Sequence, residues 1–294
     1  MSYEVLVDSS SDIPSEVAHK EGIVVVPMPV TIDDETFLEG VEIFPETFYS
    51  QFRTLRKLPK TSQPNPGTLQ AKYEEILACG NEVVAIHLSS GLSSTYSTAL
   101  MVRDMCSAPE KIHIIDSLGA SFGYGLFAIQ VNQLLKDVLS WEEAEKLILQ
   151  LRNQMRYIFT IDELEYLVKG GRVSKTAGFV GGLLDVKPVL HITSEGKIEP
   201  FSKVRSRKAA LRKLLDVMLQ EIDHPEEQII GISHAHCFEE AQIFADEIRS
   251  HVNIKDIMIS EIGCVVGSHT GPGTIALFYR KSYNSTRLNW EEQP

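Results

Sequence analysis

The feature that most constrains this chain is an alternation that recurs through its first half: a short apolar run, a polar loop, then a segment of helical periodicity. Tyr3 to Val7 reads as a first strand. Asp8-Ser9-Ser10-Ser11-Asp12 follows as a polar loop whose last members can cap a helix from near Pro14 to Gly22, and Val24 to Pro27 starts the next strand. The unit returns at Val83 to Leu88, with a Ser-Gly loop and a helix from Ser94 to Cys106. It returns again at Lys111 to Ile115, with Asp116-Ser117 and a glycine-spaced helix. Such β-α-β units close a largely parallel sheet with helices on both faces, and each strand delivers a polar loop to the edge where open α/β sheets bind ligands.

The pattern changes after Ser140-Trp141-Glu142-Glu143, a capping box ahead of a helix whose apolar stripe runs Ala144, Leu147, Ile148, Leu151 and Met155. Beyond it lie strands at Val189 to Thr193, Ile198 to Phe201, Ile229 to Ser233 and Ile257 to Ile262, with a hairpin turn at Ser194-Glu195-Gly196-Lys197. Helices span Ala209 to Ile222 and Glu239 to His251. The expected architecture is therefore α/β: an N-terminal three-layer domain with a parallel sheet over residues 1–157, then a C-terminal two-layer α/β domain with a mixed sheet over 158–284. A flexible polar tail is expected over 285–294. A chain of 294 residues suits two cores.

Composition excludes partners more readily than it names them. The balance of 28 Lys and Arg against 40 Asp and Glu gives a formal charge of −12, which repels nucleic acid and anionic membrane over most of the surface. No stretch approaches the ~18 apolar residues of a membrane span and the N-terminus lacks signal-peptide character, so a cytoplasmic protein without stable membrane insertion is expected. Cys79, Cys106, Cys237 and Cys264 are scattered, which suggests neither a zinc knuckle nor a disulfide framework.

Four loops concentrate hydroxyls, glycines and prolines: Thr61 to Gly67, Ser89 to Thr95, Lys169 to Ser174 and Gly267 to Gly273. In the first two the hydroxyls lie just ahead of an expected helix, where O–H groups and free backbone N–H groups can converge on a carboxylate or phosphate. Any one of these loops is explained equally well by helix caps and turns; several together point to an anion site. His269 lies in the last loop, among glycines and a proline. His234 and His236 form a possible metal pair without an adjacent acid, whereas His87 within an apolar strand reads as a satisfied buried histidine.

Other chemistries fit less well. Gly123-Tyr124-Gly125-Leu126-Phe127-Ala128 matches a dinucleotide fingerprint, but the residues from Asp116 to Ser121 intervene after the strand and Asp137 falls in a helix. That helix reads as core or as the wall of an apolar cavity. There is no P-loop. Ser93, His269 and Asp8 or Asp116 supply the residue types of a hydrolase triad without the G-x-S-x-G elbow. Lys203, Arg205, Arg207, Lys208, Arg212 and Lys213 crowd the start of a helix, as a solvated face or as a receiver of phosphate or an acidic partner.

Taken together, Val7-Asp8-Ser9-Ser10-Ser11-Asp12-Ile13-Pro14, Thr61-Ser62-Gln63-Pro64, Ser89-Ser90-Gly91-Leu92-Ser93, Leu164 to Leu167 with Lys169-Gly170-Gly171-Arg172, Lys187-Pro188, Val204 to Lys208 and His269-Thr270-Gly271-Pro272-Gly273 resemble the DegV family. These are bacterial fatty-acid-binding proteins. The resemblance covers nearly the whole chain and departs from the common pattern at Ser10-Ser11 and Ser94. It implies a two-domain α/β carrier without catalytic activity or cofactor, which holds one long-chain fatty acid with its carboxylate at the domain junction and its chain in an apolar tunnel. It further implies a partner, a fatty acid kinase related to dihydroxyacetone kinase, which phosphorylates the bound acid for phospholipid synthesis. By the same resemblance Thr61, Ser62, Ser93 and His269 hold the carboxylate, and Arg172 and Arg205 face the phosphorylated head group or the kinase. The alternatives are a serine esterase or thioesterase using Ser93, and a dihydroxyacetone-type subunit that holds a small carbonyl compound.

Overall fold

The computed structural model describes residues 2–173 and 186–282; Ser174 and the tail 285–294 lie outside the described residues. The first-half strands form a parallel sheet in the order Val24–Val26, Tyr3–Asp8, Glu82–His87, Ile112–Asp116. Strand alternation sets its two faces. Leu6, Val83 and Ala85 pack with Leu69 and Tyr73 of the helix Pro66–Ala78 and with Ala99 and Val102 of the helix Thr95–Arg103. Val5, Val7, Val84 and Ile86 face the other way, onto the helix Phe122–Leu134.

The second half builds a mixed sheet in the order Ile198–Val204, Lys187–Ile192, Met155–Thr160, Ile275–Arg280, Ile229–His234, Asp256–Glu261. Every pairing is antiparallel except the last. Ile158, Val189, Ile230, Ile232 and Leu277 pack beneath the helices Arg207–Glu221 and Phe238–His251. On the opposite face Tyr157, Phe159, Leu190, Ala276 and Phe278 join the same core as Phe122 and Phe127. The helix Phe122–Leu134 is thus buried between the two sheets, which is why it shows no polar face.

One reading needs correction. Asp12 does not cap the following helix: that helix is Ser15–Glu21, its cap position is Pro14, and no side chain bonds there. Asp12 is held left-handed at φ 49°, which turns its carboxyl inward to Ser121 Oγ and the Gly263 N–H. Two members of the basic run are paired within the chain. Arg207 is bidentate on Glu240, and Arg212 pairs with Asp216 and Glu247. A small antiparallel sheet, ordered Glu35–Leu38, Pro29–Ile32, Lys60–Thr61, stands outside the sequence reading, because its strands are too short to show a period.

Candidate functional site

Thr61 ends the edge strand of the small sheet, opposite Val30, and the Ser62 N–H donates to the Pro29 carbonyl. Neither hydroxyl caps the next helix, because Asn65 does so by accepting from the Gly67 and Thr68 N–H groups. Both therefore stay available to a cavity. Ser93 lies just ahead of the helix Thr95–Arg103, where its Oγ accepts from the Thr95 N–H at 3.2 Å and bonds Thr95 Oγ1 at 2.9 Å. Ser94 Oγ donates to Gln63 Oε1 at 3.1 Å and so ties the two hydroxyl loops together.

His269 reaches the same place from the second half. It sits near the end of the helix Cys264–Thr270, with Nε2 at 2.8 Å from Thr61 Oγ1. Nδ1 is buried with no hydrogen-bond partner among the described residues. A Cβ at Gly170 would lie 2.6 Å from that nitrogen, so the first glycine of the Lys169 to Arg172 loop makes room for the ring. Burial, helped by the nearby Arg172 charge, pushes the imidazole down to about 4 and keeps it neutral at pH 7. Arg172 donates from Nε to the Leu92 carbonyl at 3.2 Å and from Nη1 to the Gly170 carbonyl at 2.6 Å.

Thr61, Ser62, Gln63, Ser93, Arg172 and His269 all line one cavity, which holds about 900 Å³ of empty space with its open mouth included. Its apolar wall includes Tyr157, Phe159, Ile192, Ile198, Ala276 and Phe278 from the second sheet, and Leu88 and Leu92 from the first half. A mostly apolar cleft with a few convergent polar groups suits a ligand that is long and apolar with one polar end. Five of the six expected site residues come together here. Arg205 does not: it is exposed and absent from the lining.

The hydrolase arrangement is not assembled. Ser93 bonds Thr95, His269 bonds Thr61, Asp8 bonds His87, and Asp116 accepts from the Ser90 and Leu118 N–H groups. His87 is satisfied between Tyr73 and Asp8. His236 stacks on Tyr49, while His234 meets Phe238 edge-on, so the two make no shared metal site. The glycine-spaced helix is core, and only the residues just before it, Ala120 and Ser121, reach the cavity. Sequence reasoning missed Ser121. Its φ of 56° and ψ of −158° place it in a region otherwise kept for glycine, and nothing in the local sequence signals that.

The family model described as "Uncharacterised protein, DegV family" matches residues 2–282. The chain belongs to the DegV family. A DegV domain-containing protein of Clostridium perfringens is 34% identical over 282 residues, which cover 94% of this chain and 97% of that protein. A DegV-family structure from Thermus thermophilus, described by its fatty acid binding, superposes with a TM-score of 0.89 at 27% identity, covering 96% of this chain and all of that one. Bacillus subtilis DegV, described as a fatty acid binding protein, gives a TM-score of 0.83 at 31% identity, with 96% of this chain and 100% of that one covered. Among the described residues no helix is long and apolar enough to cross a membrane.

Proposed function

We propose that this protein is a cytoplasmic carrier that binds one long-chain fatty acid without catalysing a reaction on it. Thr61, Ser62, Ser93 and His269 hold the carboxylate where the halves 1–157 and 158–284 meet. The observation that carries this reading is one cavity in which three hydroxyls and a neutral imidazole share the lining with an aromatic and aliphatic wall. Hydrogen bonds to a carboxylate are charge-assisted, and each buried CH₂ of the acyl chain contributes about 0.8 kcal/mol. The DegV relatives described as fatty acid binding proteins support the same ligand.

Mass spectrometry of the denatured purified protein tests it: a fatty acid should be released, or added oleate or palmitate should be bound. Finding neither removes the reading. Replacing Ser93 with Ala should weaken retention by about 1.5 to 3 kcal/mol, the worth of a hydrogen bond to a charged group.

The carrier's place in metabolism, in this reading, is to present the acid to a dihydroxyacetone-kinase-like fatty acid kinase for acyl-phosphate formation feeding phospholipid synthesis. Arg172, within the cavity lining, faces the phosphorylated head group, and the exposed Arg205 faces the kinase. Arg205→Glu should leave oleate binding unchanged and lower acyl-phosphate yield in a reaction reconstituted with such a kinase. Unchanged yield removes Arg205 from the docking face.

A further inference from the structure

The helix that carries His269 is gripped from the first half at its other end. Its start receives two carboxylates: the Gly263 N–H donates to Asp12 Oδ1 at 3.0 Å, and the Val265 N–H donates to Glu39 Oε1 at 2.9 Å. Tyr49 Oη donates to the Ile262 carbonyl at 2.9 Å just before it. Asp12 and Glu39 are only 8% and 5% exposed, and among the described residues neither has an ion-pair partner. Both press on one backbone point. A Cβ at Gly263 would lie 2.7 Å from Asp12 Oδ1 and closer still to Glu39 Oε1.

The remaining carboxyl oxygens are also committed. Glu39 Oε2 accepts from Ser9 Oγ at 2.5 Å, and Asp12 Oδ2 accepts from Ser121 Oγ at 2.5 Å. Ser121 lines the cavity in its glycine-like backbone conformation, and its Oγ also lies 3.1 Å from Ser233 Oγ. One buried pair therefore holds two cavity walls, the Ser121 corner directly and His269 through its short helix.

We infer that Asp12 and Glu39 are positioning residues for head-group recognition, a buried carboxyl pair that sets where His269 and Ser121 stand at the ligand's polar end. The inference rests on the fatty-acid reading of the cavity. Burial raises both carboxyls, and Glu39's charge raises Asp12 further, so removing one charge of the pair by a neutral replacement is tolerated. The Glu39 amide analogue retains an oxygen acceptor for the Val265 N–H; the Ala variant retains none.

The test compares oleate with oleyl alcohol, which have equivalent tails and different heads, on wild-type protein and on Glu39→Ala, Glu39→Asp and Glu39→Gln. Glu39→Ala should weaken oleate by about tenfold or more, the scale of a lost contact to a charged head, and leave oleyl alcohol within about threefold. Glu39→Gln should restore oleate binding. If Glu39→Ala does not fold, Glu39→Asp, which withdraws the carboxyl by one methylene, should show the same selective loss. Equal weakening of acid and alcohol, or a Gln variant as poor as Ala, overturns the positioning role and leaves the carrier reading standing. Wild-type protein that binds neither compound overturns the carrier reading itself, and the positioning role with it.

Discussion

Asp8 and Asp12 stand four residues apart in one loop, both buried, and the structure treats them in opposite ways. Burial alone would raise Asp8, but hydrogen bonds from His87, Ser10 and Tyr124 outweigh it and hold its carboxyl below the usual range. His87 Nδ1 is 3.0 Å away, with Tyr73 behind it. Asp12 has no imidazole; it faces Glu39 and is raised. The lesson is that burial does not decide a carboxyl's charge: the partner does. One acid fastens the first sheet internally through His87, while the other joins the two halves as one of two buried carboxyls whose ionisation is disfavoured.

His87→Ala should show the largest difference, because it takes the imidazole from the buried Asp8 carboxylate and empties its place in the core. A loss of about 3 to 5 kcal/mol is expected in urea unfolding, partly recovered when Asp8→Asn is added. Asp8→Asn alone should cost about 1.5 to 3 kcal/mol, since it removes an acceptor with several charged-group hydrogen bonds. Glu39→Gln should cost under about 1 kcal/mol. If Glu39→Gln destabilises as much as Asp8→Asn, the contrast between the two sites is wrong.

A smaller effect lies in the pH dependence. His191, His234 and His269 are each pushed down to about 4 by burial. Between about pH 4 and pH 6.5 the unfolded chain binds protons that these folded imidazoles refuse, so they make stability rise with pH across that window. Asp12 and Glu39 act oppositely: the folded pair keeps protons that the unfolded carboxyls release, so its contribution falls as pH rises above the unfolded values. Glu39→Gln removes one of these opposing groups. Its stability should climb more steeply than wild type between about pH 4.5 and pH 6.5, read as the shift in urea midpoint. A shallower climb would mean that Glu39 is ionised in the folded protein.

Much of this arrangement was legible in the sequence, for identifiable reasons. The long strands, Tyr3–Asp8 and Ile229–His234 among them, announce themselves through continuous apolar runs, and the helix Trp141–Gln154 through Ser140, whose Oγ accepts from the Glu143 N–H. Hydroxyl and glycine clusters in excess of what turns require mark the loops that carry Thr61, Ser62, Ser93 and His269, and the DegV resemblance singles out those residues within them. Three things were hidden. The two-residue strand Lys60–Thr61 is too short for any period, and Asp12 reads as a helix cap because a capping and an inward-turned aspartate differ only in backbone dihedrals that the sequence does not display. Glu39 carried no local signal at all, since its role depends on Gly263, more than two hundred residues away along the chain.

The strand Ile275–Arg280 lies inside the second sheet, between Met155–Thr160 and Ile229–His234, and places Ala276 and Phe278 in the cavity wall. It is the last strand among the described residues. During synthesis, everything else that lines the cavity emerges from the ribosome before this strand does. Until Ile275–Arg280 is in place between its two neighbours, the cavity lacks Ala276 and Phe278 and its wall is incomplete, so the site forms late in the assembly of the second sheet.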